Sequence, residues 1–261
     1  MTIEFDNIVS IISGGVLGGL LWEGFKFFYP DLKNHFQKKH VAKRIIHESF
    51  DSTIKAADEL FGKIESLVKE DFGTFRNNGI SNSLDPKHNR LYILYLFAQF
   101  WAALENIRLK SNYSSIGRIE KGKELLRFIE TFESRKFRIL DRSKQRIIGE
   151  GMIIHSGEKF EVLPLYSFIE KLNKDPNFSS WIEELGTYIS NKRNNSQRQG
   201  ILVFGIIVAA FLEHFDPKHI VSRKRPIYLN RIRPESSQLI RNVLLKKYIG
   251  FIKNKERYYK I

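Results

Sequence analysis

Cysteine is absent from the chain, which excludes disulfides, thiolate zinc sites, iron–sulfur clusters and a cysteine nucleophile. Catalytic and nucleotide-binding signatures are missing too: the sequence has no H-E-x-x-H, G-x-S-x-G, P-loop, Rossmann glycine pattern or kinase motif set. The histidines are scattered: His40 and His47 have no carboxylate at ligand spacing, and Pro217 separates His214 and Asp216 from His219. We therefore expect no metal and no cofactor, and the missing motifs disfavour an enzyme without excluding one.

Positive charge is concentrated at one end of the sequence. The net charge is +14, and residues 218–261 hold 13 Lys and Arg against two carboxylates, Glu235 and Glu256. The preceding 217 residues hold 30 Lys and Arg against 27 Asp and Glu. Such a local excess predicts attraction to an anionic partner, either lipid headgroups or nucleic acid. With 42% hydrophobic residues, the chain is too apolar to be disordered.

An uncharged run near the N-terminus predicts a membrane anchor. Asn7–Trp22 contains sixteen residues without a charge. If Glu23 and Lys26 are tolerated near one end, Ile8–Tyr29 gives 22 residues, and a bilayer core needs about 20. Glu23 and Lys26 can pair at their i,i+3 spacing and extend toward the headgroups. A buried core helix or an interfacial helix is the alternative.

Charges on either side of this run predict its orientation. Glu4 and Asp6 precede it, whereas six cations follow it: Lys26, Lys33, Lys38, Lys39, Lys43 and Arg44. The positive-inside rule then predicts a single-pass protein of the cell inner membrane with its body in the cytoplasm. A cleaved signal peptide is disfavoured, because the segment lacks a positive start and the first alanine of the chain is Ala42.

Small residues recur along one face of the predicted anchor. Their four-residue spacing lets helix backbones approach closely in lipid, which suggests a homo-oligomer formed through the anchor. Glycine is also common in membrane helices generally, so the spacing has a second, neutral interpretation. The residues concerned are Ser10, Gly14, Gly15, Gly18 and Gly19.

Helical periodicity fills most of the remaining chain. Apolar residues recur every three or four positions between Leu32 and Glu70, which predicts a long amphipathic helix. Leu91–Leu109 and Gly200–Leu212 are apolar on nearly all sides, but their uncharged runs are short for a bilayer span. We expect two central core helices, with membrane segments as the alternative. Shorter helices are predicted at Arg118–Phe132, Arg142–Gly151, Leu165–Leu172 and Ser179–Ser190.

These elements predict an all-α fold. The expected architecture is an irregular helical bundle with an N-terminal transmembrane helix and at most one small β-hairpin. The hairpin would join Met152-Ile153-Ile154 to Phe160-Glu161-Val162 through the turn His155-Ser156-Gly157. Three parts are predicted: the anchor (1–30), a helical domain (31–217) and a basic amphipathic segment (218–261).

The C-terminal segment has an apolar stripe surrounded by cations. After Pro234 the stripe consists of Leu239, Ile240, Val243, Leu244, Tyr248 and Ile252. Such a helix either docks on a core or lies among lipid headgroups, and we favour docking with the Lys and Arg face outward. The residues predicted to bind an anionic partner are Arg223, Lys224, Arg225, Arg231, Arg233, Arg241, Lys246 and Lys247.

One polar constellation lies within the apolar elements. Glu105 occurs in the most apolar helix, and a carboxylate there must be paired or neutral. Arg146 is a suitable two-pronged partner. The set is either a ligand pocket or a buried structural ion pair, and we favour the ion pair. Its members are Glu105, Gln145, Arg146, Glu150 and Asp216.

Segments within residues 90–220 resemble an uncharacterised bacterial protein family. The matching stretches, in order, are Tyr95–Trp101 with Glu105, Gln145–Glu150, Phe168 through Asp175–Phe178 with Trp181, and Phe211-Leu212 with Phe215–Pro217. The resemblance implies a helical domain behind an N-terminal hydrophobic segment. It implies no activity.

Four functions are compatible with these features. The leading hypothesis is a membrane-anchored interaction or effector protein, whose body holds an unidentified protein partner and whose basic segment contacts anionic lipid. The second is a membrane-tethered nucleic-acid binder, because basic and aromatic residues alternate around Tyr228. An oligomer that perturbs membranes through its glycine face is the third. An enzyme built on Glu105, Arg146 and Glu150 is the fourth, and the missing motifs disfavour it.

Overall fold

The computed structural model describes residues 50–72, 86–110, 116–117, 119–156, 159–190 and 195–260. The predicted anchor therefore lies outside the described residues. So do the small residues on which its self-association rests, namely Ser10, Gly14, Gly15, Gly18 and Gly19.

The all-α prediction is confirmed, and so is the small hairpin. The helices are α1 (50–69), α2 (Pro86–Lys110), α3 (Glu120–Glu133), α4 (Arg142–Gly151), α5 (Leu165–Lys174), α6 (Pro176–Ser190), α7 (Asn195–Phe215) and α8 (Pro234–Leu239). A π-helix, Ile240–Tyr248, continues α8, and short 3₁₀ turns lie at Leu229–Arg231 and Lys255–Tyr258. Strands β1 (Ile153–Ser156) and β2 (Lys159–Val162) pair antiparallel, with Ile153 opposite Val162 and Ile154 opposite Glu161.

Helix α7 is the central helix of the bundle. Every residue from 201 to 212 is buried, because this stretch is apolar all round and packs against neighbours on every side. Ser196–Phe215 is the one helix among the described residues that is long and apolar enough to cross a membrane, and 72% of the tested stretch is buried inside the protein. A buried core helix can have the same length and apolar composition as a membrane span, and the burial of α7 is that of a core helix.

Helix α2 forms the other half of the core, and its side chains meet those of α3 and α7. The rings of Phe100 and Phe132 contact edge to face, with centroids 5.0 Å apart, and Phe97 contacts Phe204 at 5.6 Å. Such pairs add to the stabilisation that burial alone provides. Helix α4 approaches α2 closely at Gly149, where a Cβ would come within 2.8 Å of the Trp101 carbonyl oxygen.

The C-terminal segment belongs to this core. Five aliphatic residues of the π-helix and the turn after it are buried: Ile240, Leu244, Leu245, Ile249 and Ile252. Leu239, Val243 and Tyr248 of the stripe are partly buried and pack against the core. The ring of Phe251 contacts Phe128 of α3 at 5.7 Å, and Tyr248 contacts Phe137 at 5.1 Å. The stripe therefore docks on the body, as favoured from the sequence, and its cationic side chains point to solvent.

Candidate functional site

Residues 225–233, here called the strap, run back along α7 from its C-terminal end toward its N-terminal end. The Tyr228 hydroxyl donates to the Leu202 carbonyl at 3.3 Å. Further on, the Gln199 side chain donates to the Arg231 carbonyl and accepts from the Arg233 N–H, both at 3.0 Å. Backbone groups of the strap are thus bound by one glutamine of α7, which fixes the chain on either side of the short 3₁₀ turn Leu229–Arg231.

Arg225 fastens the strap to α1. Its guanidinium makes a two-pronged contact with Asp58 and lies 3.7 Å from a carboxylate oxygen of Glu65. Only 15% of its side chain is exposed. The prediction that Arg225 binds an anionic partner is therefore corrected: its charge is neutralised inside the protein, because α1 presents two carboxylates to it.

The other predicted anion-binding residues are exposed. None of them forms an ion pair with a carboxylate among the described residues, although Arg241 stacks on the Tyr259 ring at 5.6 Å. Lys218 and Lys253 are likewise exposed and form no ion pair with a carboxylate among the described residues. The C-terminal segment thus presents cations without internal compensation, which raises the positive potential outside this surface. We call this set the cationic face: Lys218, Arg223, Lys224, Arg231, Arg233, Arg241, Lys246, Lys247 and Lys253.

A tightly organised turn follows α7, and Asp216 builds it. The carboxylate accepts the backbone N–H groups of Ile220, Val221 and Ser222 at 2.8, 2.9 and 2.7 Å. It also accepts the Ser222 hydroxyl at 2.9 Å. Burial opposes ionisation of Asp216, but these hydrogen bonds outweigh burial and lower its pKa below the ordinary value of 3.8. The carboxylate is therefore ionised at neutral pH.

A polar cleft of about 370 Å³ opens beside this turn. Its walls carry Glu213, His214, His219, Lys253, Arg257 and Tyr258. Glu213 is occupied within the wall, since it accepts the Tyr258 hydroxyl at 2.7 Å and pairs with Arg257 at 2.7 Å. Burial, together with the hydrogen bond to Glu213, raises the pKa of Tyr258.

The two histidines of the cleft also have protein partners. His214 lies 3.0 Å from Glu124, and Nδ1 of His219 lies 3.1 Å from the Ser222 hydroxyl. Because that hydroxyl donates to Asp216, it accepts from His219, so Nδ1 of His219 carries the proton. The polar side chains of the cleft wall thus bind other groups of the protein, and Lys253 is an exposed cation among the lining residues.

A buried ion cluster connects α2, α3 and α4, and its pairing differs from the prediction. Glu105 pairs with Arg108 of its own helix, not with Arg146. Arg108 also contacts Glu133, and Glu133 is further bound by Arg142 at 2.8 Å and by Arg146 at 3.2 Å. Glu105, Arg108 and Glu133 have side chains no more than 7% exposed. The cluster is a buried network of ion pairs that joins three helices.

Three other members of the predicted constellation lie outside this cluster. The Gln145 side chain donates to the Leu140 carbonyl at 3.1 Å, so it braces the loop before α4. Glu150 is exposed. Asp216 organises the turn after α7, as described above. The predicted grouping of these residues with Glu105 is therefore corrected, because helix packing separates them.

Sequence reasoning missed Glu133, Arg108 and Arg142. Arg108 follows Glu105 at a spacing of three, a pattern that predicts a pair along one helix. Glu133 gives no such signal, since it ends α3 among other charged residues. No group of three His, Asp or Glu side chains suited to a metal ion occurs among the described residues.

Comparisons with known protein families, curated proteins and solved structures give no match to the chain. The resemblance noted from the sequence segments therefore stays a prediction.

Proposed function

We propose that this protein is a membrane-anchored helical interaction or effector protein whose cationic face binds the anionic inner leaflet. The observation that carries the proposal is the separation of buried apolar side chains from exposed cations in the C-terminal segment. Its apolar stripe packs on the core, whereas nine of its cations are exposed and have no carboxylate partner among the described residues. A membrane-proximal cation contributes about 1 kcal/mol of binding to an anionic leaflet.

The way the chain joins the body supports this arrangement. Phe50, the first described residue, packs against Phe215 with ring centroids 4.8 Å apart. The described part of the chain thus begins against the C-terminal end of α7. The polar cleft and the first cations of the cationic face lie at the same end. An anchor on this side would bring the polar cleft and these first cations near the headgroups.

Nucleic acid is the second candidate, and one observation weakens it. Proteins that bind single strands stack bases on exposed aromatic rings among their cations. Tyr228, the aromatic residue between the cations of the strap, is buried and donates its hydroxyl to Leu202. Its ring is unavailable for base stacking. The cations of the strap therefore offer only their charge, which suits the phosphates of lipid headgroups as well as those of nucleic acid.

Amine footprinting of the full chain tests the proposal. The protein is reconstituted in nanodiscs of phosphatidylcholine alone or with phosphatidylglycerol, then treated with an acetylating reagent and digested. We expect several-fold slower acetylation of Lys246, Lys247 and Lys253 when phosphatidylglycerol is present. Lys121 and Lys136, which are exposed on the body outside the C-terminal segment, serve as controls and should not change.

Salt and nucleic acid complete the design. Protection should disappear near 1 M salt, where the Debye length falls to about 3 Å. Equal acetylation in both kinds of nanodisc would refute lipid binding by the cationic face. If RNA or DNA, added to phosphatidylcholine nanodiscs, protects the same lysines while phosphatidylglycerol does not, the nucleic-acid function replaces the one proposed.

A further inference from the structure

Ile220 is the most exposed large apolar side chain among the described residues. It is 81% exposed, and its neighbour Val221 is 37% exposed. Both lie in the turn after α7, here called the tip loop (residues 217–224). Single exposed apolar residues are common on protein surfaces, so exposure alone assigns no role to Ile220. Its setting does.

The tip loop holds Ile220 outward with a fixed backbone. Asp216 accepts the N–H groups of Ile220 and the two residues after it, and the Ser222 hydroxyl adds a fourth hydrogen bond. His219 adopts a left-handed conformation, with φ of 53°, which turns the chain sharply just before Ile220. The exposure of Ile220 is thus imposed by the structure of the loop.

Cations flank the two apolar side chains. Lys218 precedes them, and Arg223 and Lys224 follow; all three are exposed and have no carboxylate partner among the described residues. An apolar tip with cations beside it matches the chemistry of an anionic bilayer surface. The acyl boundary accepts the apolar side chain, and the phosphates bind the cations.

The position of the loop agrees with this chemistry. Phe215 immediately precedes Asp216, and it packs on Phe50, the first described residue after the predicted anchor. The tip loop therefore lies at the end of the body where the described chain begins, and an anchor on that side would bring it near the headgroups.

We propose that the tip loop is a membrane-insertion element, in which Ile220 enters the interfacial region of an anionic bilayer while Lys218, Arg223 and Lys224 bind lipid phosphates. This inference rests on the proposed function, since it assumes a body held at the membrane. It goes further by assigning one loop, one inserted side chain and a depth below the headgroups.

The absence of cysteine permits a direct test in the full chain. Ile220→Cys is labelled with an environment-sensitive fluorophore and reconstituted in nanodiscs with and without phosphatidylglycerol. We expect a blue shift and a several-fold rise in emission with phosphatidylglycerol, and quenching by spin labels placed high on the acyl chains. Tyr166→Cys is the matched control, because Tyr166 is 73% exposed on α5; its emission should not change.

Two further outcomes separate this inference from the proposed function. If Lys246 and Lys247 are protected by phosphatidylglycerol but the probe at position 220 stays in water, insertion is refuted and the proposed function stands. If neither responds to phosphatidylglycerol, both fail. A label-free check uses Ile220→Ser, which should lower the protection of Lys218 and Lys224 several-fold and leave that of Lys246 unchanged; Tyr166→Ser should alter neither.

Discussion

Arg225 and Asp58, 167 residues apart in the chain, form a two-pronged ion pair between the strap and α1. The backbone N–H of Arg223 donates to the same carboxylate at 3.0 Å. Gly62 of α1 lies beneath the guanidinium, where a Cβ would come within 2.9 Å of Nη2. One arginine of a strongly basic segment therefore acts inside the fold, and this contact holds the strap in place.

Breaking that pair from one side should destabilise the protein strongly. Asp58→Asn removes the closer of the two carboxylates that neutralise the mostly buried Arg225 and leaves only Glu65, 3.7 Å away. Breaking a buried pair from one side costs up to about 3–5 kcal/mol of unfolding free energy. Denaturant unfolding of the full chain in detergent measures the loss. Lys224→Gln, at an exposed neighbouring position, is the control and should change stability by no more than about 0.5 kcal/mol. If both variants unfold alike, the pair does not fasten the strap.

The ion cluster predicts a ranking of two glutamates. Glu133→Ala removes the carboxylate that binds Arg142 and Arg146 and leaves Arg108 with Glu105 alone, and it should cost about 3–5 kcal/mol. Glu105→Ala should cost less, because Arg108 keeps Glu133 as a partner. Melting temperatures of both variants check the ranking, with the exposed Glu130→Ala as the control on α3. If Glu105→Ala lowers the melting temperature more than Glu133→Ala does, Glu105 is the more important carboxylate of the network. Lost biological function at an unchanged melting temperature would instead indicate a ligand pocket.

Deleting residues 231–261 should unfold the body. Five buried aliphatic side chains and the buried ring of Tyr258 leave with the segment, and each aliphatic side chain contributes roughly 1.5–3 kcal/mol by burial. Circular dichroism melting should therefore show no cooperative transition. The matched variant Arg241→Gln/Lys246→Gln/Lys247→Gln removes charge from the same segment, and it should melt like the unmodified protein. A truncated chain that still melts cooperatively would show that the stripe is dispensable.

The anchor prediction is tested by placing charge within the uncharged run. Ile11→Lys/Leu17→Lys should release the full chain from membranes on alkaline carbonate extraction, because a lysine at a helix centre costs about 2.5–3.5 kcal/mol of insertion free energy. The conservative variant Ile11→Leu/Leu17→Ile should stay in the membrane fraction, as should the unmodified protein. Extraction of the unmodified protein by carbonate would count against a spanning helix.

Local signals were enough to predict the fold class. Helix α4 begins and ends where predicted. Its start is fixed by Asp141, which caps the helix by accepting the Ser143 N–H at 3.1 Å, and aspartate is a preferred residue at that position. The hairpin follows from two short β-branched and aromatic stretches around a glycine turn. The apolar runs within α2 and α7 had to be buried, whichever neighbours they met.

Long-range pairing was beyond the sequence. Nothing local connects Arg225 to Asp58, and the partners of Glu133 come together only when α2, α3 and α4 pack. The winding of Ile240–Tyr248 was also unexpected, since a stripe at spacings of three and four predicts an α-helix. The N–H of Ile249 instead reaches the Leu244 carbonyl, five residues back, at 2.9 Å, and this wider winding buries Leu244 and Leu245 side by side.

The tip loop should lose its structure in acid through one carboxylate. The pKa of Asp216 is lowered in the folded protein by the N–H groups of residues 220–222, which outweigh the effect of burial. Its contribution to stability is therefore fully present above the unfolded pKa of about 3.9 and is lost as the pH falls through the lower, folded pKa. At pH 7, Asp216→Asn should destabilise the protein by about 1.5–3 kcal/mol, the value of a hydrogen bond to a charged group.

Unfolding measured from pH 7 down to pH 3 checks this expectation. The difference in unfolding free energy between the unmodified protein and Asp216→Asn should be constant at neutral pH and shrink below about pH 4, where Asp216 is protonated in the unfolded chain. Asp141→Asn is the matched control, because Asp141 also has a lowered pKa from hydrogen bonds to Ser143 but caps α4. Acid should therefore release a probe at position 220 in the unmodified protein and in Asp141→Asn alike, whereas in Asp216→Asn the probe should be mobile already at neutral pH. A probe equally ordered in all three proteins at pH 7 would show that other contacts hold the loop.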